Sequence, residues 1–177
     1  MPELIAWPPD PPTPLGDLSA RVADELGATL VTVPSLSNVE PVDETRSVLA
    51  IVHSASGLRE LEAYAEEPHF DLVAVVSDGY LGTDGPAVGS AMYGGAAVTV
   101  VRSVAVRQGS EARANVVCIP ESLFGEQGSQ RGPLRQEVEI EDVAHAVAFF
   151  LDPSGGYLNG QVLFADGGRH VFSSMSA

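Results

Sequence analysis

The sequence contains no lysine, because all nine of its basic residues are arginine. A Schiff-base amine and the lysine of a phosphate-binding loop both require an ammonium group, so these two mechanisms are excluded. Arginine cannot replace lysine as a proton donor, since its guanidinium stays charged in proteins. A coding bias toward arginine would explain the same absence, so the absence limits the chemistry without proving a purpose.

Cysteine, positive charge and long apolar runs are also scarce. The only cysteine, Cys118, lies in the apolar run 116–119, which predicts a buried thiol and excludes a disulfide within the chain. The net charge of −15 opposes binding to nucleic acid or anionic lipid. No apolar run approaches the roughly 20 residues that cross a bilayer, and no basic segment followed by an apolar core opens the sequence. We therefore expect a cytoplasmic protein with neither a nucleic-acid nor a membrane partner.

Short apolar runs alternate with amphipathic segments along the chain, which predicts an α/β fold. Because the strand-like runs contain almost no polar residue, we expect both faces of the sheet to be covered by helices. The expected fold is a Rossmann-like, doubly wound, mostly parallel sheet of about six strands, formed by residues 1–177 as a single domain. The predicted strands are 4–7, 29–33, 48–53, 72–77, 114–119 and 161–165, and the predicted helices are 17–26, 58–66, 93–108 and 141–151.

Four segments of the second half resemble successive motifs of the short-chain dehydrogenase/reductase family. They are Tyr-Gly-Gly-Ala-Ala-Val from Tyr93, Ala-Asn-Val-Val-Cys-Ile-Pro to Pro120, Glu-Asp-Val-Ala from Glu141, and Gly-Tyr-Leu-Asn-Gly-Gln-Val-Leu-Phe-Ala-Asp-Gly-Gly to Gly168. The first half is similar more loosely, with His-Ser-Ala-Ser-Gly from His53 where the family carries Asn-Asn-Ala-Gly. The chain resembles a shortened member of the family, with the shortfall between residues 33 and 48 and between residues 57 and 71.

The resemblance implies an active site that this sequence has lost in part. In the family, a tyrosine donates the proton, a lysine four residues later supports it and holds the cofactor ribose, and a serine binds the substrate oxygen. Tyr93 stands at the tyrosine position, but Ala97 replaces the lysine. The serine position falls at Asp78, with Ser77 beside it, and an aspartate there disfavours an ionised tyrosine nearby. We interpret Tyr93, Asp78 and Ser77 as vestigial catalytic positions.

The turn that would bind a dinucleotide is altered as well. Such a turn needs glycines and free backbone N–H groups aimed at the pyrophosphate. Residues 8–14 read Pro-Pro-Asp-Pro-Pro-Thr-Pro, and proline has no N–H to donate. Only Gly16 remains where three glycines are expected, and Asp10 and Asp17 add negative charge where phosphate would lie. We therefore assign no cofactor-binding residue and expect no NAD(P). The histidines and acids do not combine at metal-ligand spacing, so we predict no metal site.

The favoured function is that of a catalytically inactive subunit, or pseudoenzyme. It would serve as a structural or regulatory partner of an active short-chain dehydrogenase or of a second copy. Family members form dimers and tetramers through the tyrosine helix, the last helix and the last strand. The resemblance therefore implies a dimer, tetramer or heterotetramer contact through residues 93–108, 141–151 and 161–165. Inactive and active relatives pair in acyl-CoA-oxidising enzymes, so acyl-CoA, ketone or alcohol oxidoreduction is the activity expected of the partner.

The alternative is a cofactor-independent enzyme with the same fold. A dehalogenase-like enzyme would use an anion pocket lined by Trp7 and residues 8–14, although Ala97 stands where those relatives carry arginine. A lyase-like enzyme would use Asp78 as the base together with Tyr93. A third hypothesis, an atypical NAD(P)-dependent oxidoreductase, is opposed by the missing lysine and by the prolines.

Overall fold

Six parallel strands form one sheet in the order β2-β1-β3-β4-β5-β6. The computed structural model describes residues 2–12, 15–39, 46–66, 70–81, 88–108, 111–125 and 132–173. The strands are β1 (Glu3–Trp7), β2 (Thr29–Thr32), β3 (Arg46–Val52), β4 (Asp71–Ser77), β5 (Ala114–Ile119) and β6 (Val162–Phe164). The helices are α1 (Leu18–Leu26), α2 (Ala55–Glu66), α3 (Val88–Gln108), α4 (Ile140–Leu151) and α5 (Arg169–Ser173).

Helices cover both faces of the sheet because successive strand residues point to opposite faces. Along β4, Leu72 and Ala74 pack toward α2 and α3, whereas Val73 and Val75 pack toward α1 and α4. All four side chains are fully buried. The predicted Rossmann-like α/β fold with helices on both faces is confirmed, and every strand pair in it is parallel.

The position of β1 creates a topological switch point in the sheet. β1 pairs with β2 on one side and with β3 on the other, so the strand order reverses there. In open parallel sheets, ligands bind in the crevice beyond the carboxyl ends of the strands at such a point. Trp7 ends β1 at this crevice, and the Trp7–Pro8 peptide bond is cis.

Several helix boundaries differ from the predicted ones for local reasons. α2 begins at Ala55 rather than at residue 58, because the Ser54 hydroxyl accepts a hydrogen bond from the Gly57 N–H and caps the helix. α3 begins at Val88, five residues before the predicted start. α1 ends at Leu26, as predicted, and Gly27 caps it in a left-handed conformation with φ of 58°. Cys118 is buried in β5, as predicted.

Hydrogen bonds from polar side chains join the amino-terminal ends of β4 and β5 to the last third of the chain. Arg113 donates to both carboxylate oxygens of Asp71, and its guanidinium reaches the backbone carbonyls of Leu151 and Asp152 at 3.4 Å. The side chains of Asn115 and Asn159 make a second set of bonds, which joins the start of β5 to residues 158–161. These contacts hold the end of α4 and the start of β6 against the sheet. Across the described ranges, no helix is both long and apolar enough to cross a membrane.

Candidate functional site

A residue with an ionisable side chain follows each of the strands β3 to β6. His53 follows β3, Asp78 follows β4, Glu121 lies two residues after β5, and Asp166 lies two residues after β6. Because parallel strands end at one edge of the sheet, these residues all lie at its carboxyl edge. The exposed His53 ring stacks on Phe124, with 6.0 Å between the ring centroids. This edge is the region where the family resemblance places an active site.

The end of β4 carries two of the predicted site residues, and both are buried. Ser77 and Asp78 are only 1% and 5% exposed. The Ser77 hydroxyl accepts a hydrogen bond from the Gly79 N–H at 3.0 Å, so the backbone turns immediately into the short 3-10 helix Asp78–Leu81. A Cβ at Gly79 would overlap Oε1 of Glu121. Glycine at this position therefore leaves room for the Glu121 carboxylate next to Ser77.

Among the described residues, one guanidinium, that of Arg169, lies beside the buried Asp78 carboxylate. Nη1 of Arg169 lies 3.5 Å from Oδ1 of Asp78, and the backbone N–H of Glu121 donates to the same carboxylate. Burial raises the pKa of Asp78 from 3.8 to about 6. Arg169 opposes this rise by favouring the charged form, whereas the negative charges of Asp166 and Glu121 add to it. Asp78 can therefore change its protonation state close to neutral pH.

Asp166 fixes the turn that carries Arg169. This aspartate is 2% exposed, and its two oxygens accept hydrogen bonds from the N–H groups of Gly168 and His170 at 2.9 and 2.7 Å. Nδ1 of His170 lies 2.9 Å from the same carboxylate, and the imidazole stacks on Phe164 with 4.2 Å between the ring centroids. Because these bonds hold both ends of the Gly168–His170 segment, Arg169 has a fixed position beside Asp78.

Tyr93 lies on a helix that packs beside this hydrogen-bonded cluster. Tyr93 is half-buried in α3, and α3 packs against the 3-10 helix that begins at Asp78. Among the described residues, no hydrogen bond joins the Tyr93 hydroxyl to Ser77 or Asp78. Ala97 is 0% exposed and lies in the apolar layer between α3 and the sheet. A lysine at this position, as in the family pattern, would have the beginning of its side chain inside this apolar layer.

The residues at the switch point do not fit a dinucleotide cofactor. The Trp7 indole is 9% exposed and packs against Gly57, where a Cβ would lie 3.4 Å from the ring. Its N–H donates to the Pro34 carbonyl at 3.4 Å. In the described turn 8–12, only Asp10 has a backbone N–H, so the turn cannot surround a pyrophosphate with donors.

The end of β2, where a cofactor ribose would bind, is also occupied by the protein's own contacts. The Glu60 carboxylate from α2 accepts hydrogen bonds there from the Ser35 hydroxyl at 2.5 Å and from the Leu36 N–H at 2.9 Å. The same oxygen of Glu60 accepts both bonds, so this atom is already used by the fold. In the part of the chain that the structure describes, no three His, Cys, Asp or Glu side chains are grouped to hold a metal ion.

Sequence reasoning finds Ser77 and Asp78 but misses the residues that surround them. Glu121, Asp166, Arg169 and His170 reach the site from the ends of β5 and β6. One signal is present in the sequence: Asp166 and His170 are four residues apart, directly after the last strand and around two glycines. An acid and a histidine at this spacing predict a contact in a tight turn or a short helix. No comparable local signal links Arg169 to Asp78, which is 91 positions earlier.

Comparisons with known proteins agree with this fold. Residues 74–170 match the family described as enoyl-(acyl carrier protein) reductase. The enoyl-(acyl-carrier-protein) reductase of Anaplasma phagocytophilum, solved with NAD, has a TM-score of 0.69 and 17% identity, covering 96% of this chain and 94% of that chain. Levodione reductase has a TM-score of 0.67 and 16% identity, covering 96% and 97%. The NADH-dependent enoyl-(acyl-carrier-protein) reductase of Aquifex aeolicus has a TM-score of 0.68 and 13% identity, covering 96% of each chain.

No curated protein matches the sequence. The identities to the solved structures are low, so these structures establish the fold alone. The family match is stronger evidence, because it spans more than half of the chain, from β4 to α5. Taken with the six-stranded parallel sheet, it shows that the chain belongs to the short-chain dehydrogenase/reductase family.

Proposed function

We propose that the chain is a family subunit that does not itself transfer hydride. It serves as a structural or regulatory partner of an active family member or of a second copy. The observation that carries this proposal is Ala97, four residues after Tyr93, which is fully buried in the layer between α3 and the sheet. The family's lysine would bring a side chain with a terminal ammonium group into this apolar layer, whereas alanine completes the packing of the layer. The chain contains no lysine at any other position that could supply this charge, because it contains no lysine at all.

The switch point gives independent support to the proposal. Hydride transfer in the family requires a nicotinamide cofactor, and the proline-rich turn after β1 offers it few backbone donors. The Trp7 indole is packed on Gly57 in the same crevice. Since Trp7 is almost fully buried, it also presents little surface to an anion, so the dehalogenase-like alternative has less support.

The elements expected at a subunit interface carry exposed apolar side chains, which supports the partner role. Val106 on α3, Phe149 on α4 and Leu163 on β6 are exposed. Exposed apolar side chains are typical of protein–protein contacts, although single ones are common on any surface. Because α3 and α4 cover opposite faces of the sheet, contacts on both faces, as in a tetramer, would be needed to cover all three.

Nucleotide titration and co-expression test the proposal together. Trp7 is the only tryptophan, so energy transfer from its indole to NADH would report binding directly. We expect no saturable signal with NADH or NADPH by fluorescence, and no heat of binding by calorimetry. Co-expression with a family member encoded beside the gene should give a complex of fixed stoichiometry in size-exclusion chromatography. Tight binding of either nucleotide to the isolated chain would refute the proposal.

A second candidate function is cofactor-independent acid–base catalysis, as in a lyase or hydratase. The observation in its favour is Asp78, whose pKa of about 6 suits a group that exchanges protons at neutral pH. Tyr93 lies on the helix that packs against the Asp78 segment. Substitution Tyr93→Phe tests this candidate in the native complex: an activity that survives the change in full assigns Tyr93 a structural role.

A further inference from the structure

β2 forms one edge of the sheet. It pairs with β1, and no strand among the described residues lies on its other side. Thr29 and Val33 donate hydrogen bonds to backbone carbonyls at and just before β1, so the backbone groups of Leu30 and Thr32, which alternate with them, point away from the sheet. Within the described part of the chain, no hydrogen bond uses the backbone N–H or C=O of Leu30 or Thr32.

This edge lacks the features that usually prevent the edge of a sheet from pairing with another chain. Edges are commonly protected by charged side chains, by proline or by a bulge. Residues 28–33 read Ala-Thr-Leu-Val-Thr-Val and contain neither a charge nor a proline. Although the chain has a net charge of −15, a strand that pairs with this segment meets no charged side chain within it.

An apolar cavity lies beside the same edge. Its volume is about 270 Å³, and its apolar lining consists of Ile5, Val31, Val33 and Val39. Val31 and Val33 come from β2 and the residue after it, and both are only partly buried although they face this apolar space. Apolar side chains added next to them on this face of the sheet would cover both valines.

One antiparallel register lets two copies of β2 use all of their outward backbone groups. Around a twofold axis at Val31, Leu30 of each copy lies opposite Thr32 of the other, and each such pair exchanges both of its N–H···O=C bonds. An axis at Leu30 instead places Thr32 opposite Ala28, whose N–H is already bonded at the end of α1. An axis at Thr32 places Leu30 opposite Pro34, which has no N–H. Of these three registers, the one centred on Val31 leaves no outward group of Leu30 or Thr32 unpaired.

We propose that β2 is a self-association edge, which pairs antiparallel with β2 of a second copy and continues the sheet across both. Val31 of one copy lies directly opposite Val31 of the other, on the face that carries the cavity. Each copy thereby places apolar side chains beside the cavity of the other. A second copy is the occupant because every backbone group that the edge leaves open finds its partner in the same segment. The contact goes beyond the proposed function, since it uses none of α3, α4 and β6.

Hydrogen exchange on the full chain tests the edge without any substitution. The contact is smaller than the roughly 1,200 Å² of a standard interface, so we expect a reversible dimer with a dissociation constant of about 10–300 µM. The amides of Leu30 and Thr32 should exchange at least threefold more slowly at about 1 mM protein than at about 5 µM, whereas those of β5 should not change. Protection at both concentrations would mean that another part of this chain pairs with β2. Rapid exchange at both would mean that the edge stays open, and either result overturns the proposal.

Two variants of Thr32 locate the contact. Thr32→Pro removes an outward N–H without removing a bond that the described sheet uses, so it should raise the dissociation constant at least tenfold. Thr32→Val keeps the N–H and should change the constant by less than twofold. Sedimentation at pH 7.5 in about 0.3 M NaCl, which screens the net charge, measures both. Equal constants for the two variants would assign any dimer to another surface, such as the partner's segment for a heterologous strand, and would overturn the proposal.

A disulfide reads the register and decides if Thr32→Pro fails to fold. In an antiparallel pair that exchanges no hydrogen bonds, the Cα atoms are about 4.5 Å apart, which a disulfide can span. With oxidised glutathione, Val31→Cys should therefore form a linked dimer at least tenfold faster than Thr29→Cys, although Thr29 is more exposed. The natural Cys118 is buried and does not compete. Equal rates would overturn the proposal. These tests involve no nucleotide and no active family member, so this proposal and the proposed function fail separately.

Discussion

Substitution Asp78→Asn should stabilise the protein more at pH 7.5 than at pH 4. Burial raises the pKa of Asp78 from 3.8 to about 6 in the folded chain. The folded state therefore binds the Asp78 proton more tightly than the unfolded state does. Between pH 3.8 and about 6, the unfolded chain has lost this proton while the folded chain still holds it, so the free energy of unfolding falls as the pH rises.

The magnitude follows from the two pKa values. One pKa unit corresponds to about 1.4 kcal/mol, so the rise at Asp78 corresponds to about 3 kcal/mol. This stability is fully present below pH 3.8 and is lost as the pH rises through about 6. Asparagine has no proton to lose, so the variant lacks the decline. Its stability advantage over the native protein should therefore grow by up to about 3 kcal/mol between pH 4 and 7.5.

Urea unfolding followed by circular dichroism measures this difference at each pH. The decisive quantity is how the difference in unfolding free energy between the variant and the native protein changes with pH. The effect of the substitution on packing is the same at every pH, so it cancels in this change. Asp24→Asn on the exposed side of α1 is the matched control, since burial imposes no such cost there. A difference that is constant from pH 4 to 7.5 would refute the reasoning. A difference that shrinks with rising pH would show that the attraction of Arg169 outweighs burial.

Two further substitutions test the apolar layer of α3 and the bonds at the amino end of the sheet. Ala97→Lys should lower the free energy of unfolding by about 3–5 kcal/mol, because it places an unpaired charge in a buried layer. The same substitution should not create NADPH binding. The control Thr99→Lys, at an exposed position, should change the free energy of unfolding by no more than about 0.5 kcal/mol. Equal urea midpoints for the two variants would contradict the burial of Ala97. Arg113→Leu should lower the unfolding free energy by about 2–3 kcal/mol, because Oδ2 of Asp71 and the carbonyls of Leu151 and Asp152 lose their guanidinium donor. If Arg113→Leu melts at the same temperature as exposed Arg102→Leu, that explanation is wrong.

The sheet could be predicted from the sequence because its strands are nearly continuous apolar runs. The predicted range of β5 agrees with the structure at both ends, since charged or turn-forming residues flank an unbroken buried segment. The starts of helices are harder to predict. The cap at Ser54 extends α2 toward the amino terminus, and the side chain of serine alone does not distinguish a cap from a loop residue. The short helix α5 follows two glycines and has no apolar period long enough to detect.

The site could be predicted only in part, because its contacts join distant segments. Ser77 and Asp78 can be found from their place at the end of an apolar strand and from the family motif. Their partners, Glu121 and Arg169, come from two later strand ends, and their approach depends on how three strands end at one edge. The burial of Ala97 is equally hard to predict. Small and apolar residues occupy most of the circumference of α3, so the sequence alone does not show which side of the helix is buried.

The hydrogen bonds of Asn115 and Asn159 have a consequence for the order of folding. Ala114, at the start of β5, donates to Asn159, and the Asn115 side chain bonds to Leu158 and Gln161, which are 43 to 46 positions away from their partners. During synthesis, β5 leaves the ribosome well before these residues do. The polar groups at its start therefore stay bonded to water until the segment 158–161 arrives. The β5–β6 edge of the sheet is thus completed by nearly the last part of the described chain to be made, and β6 finds its register through two asparagine amides as well as through its own three residues.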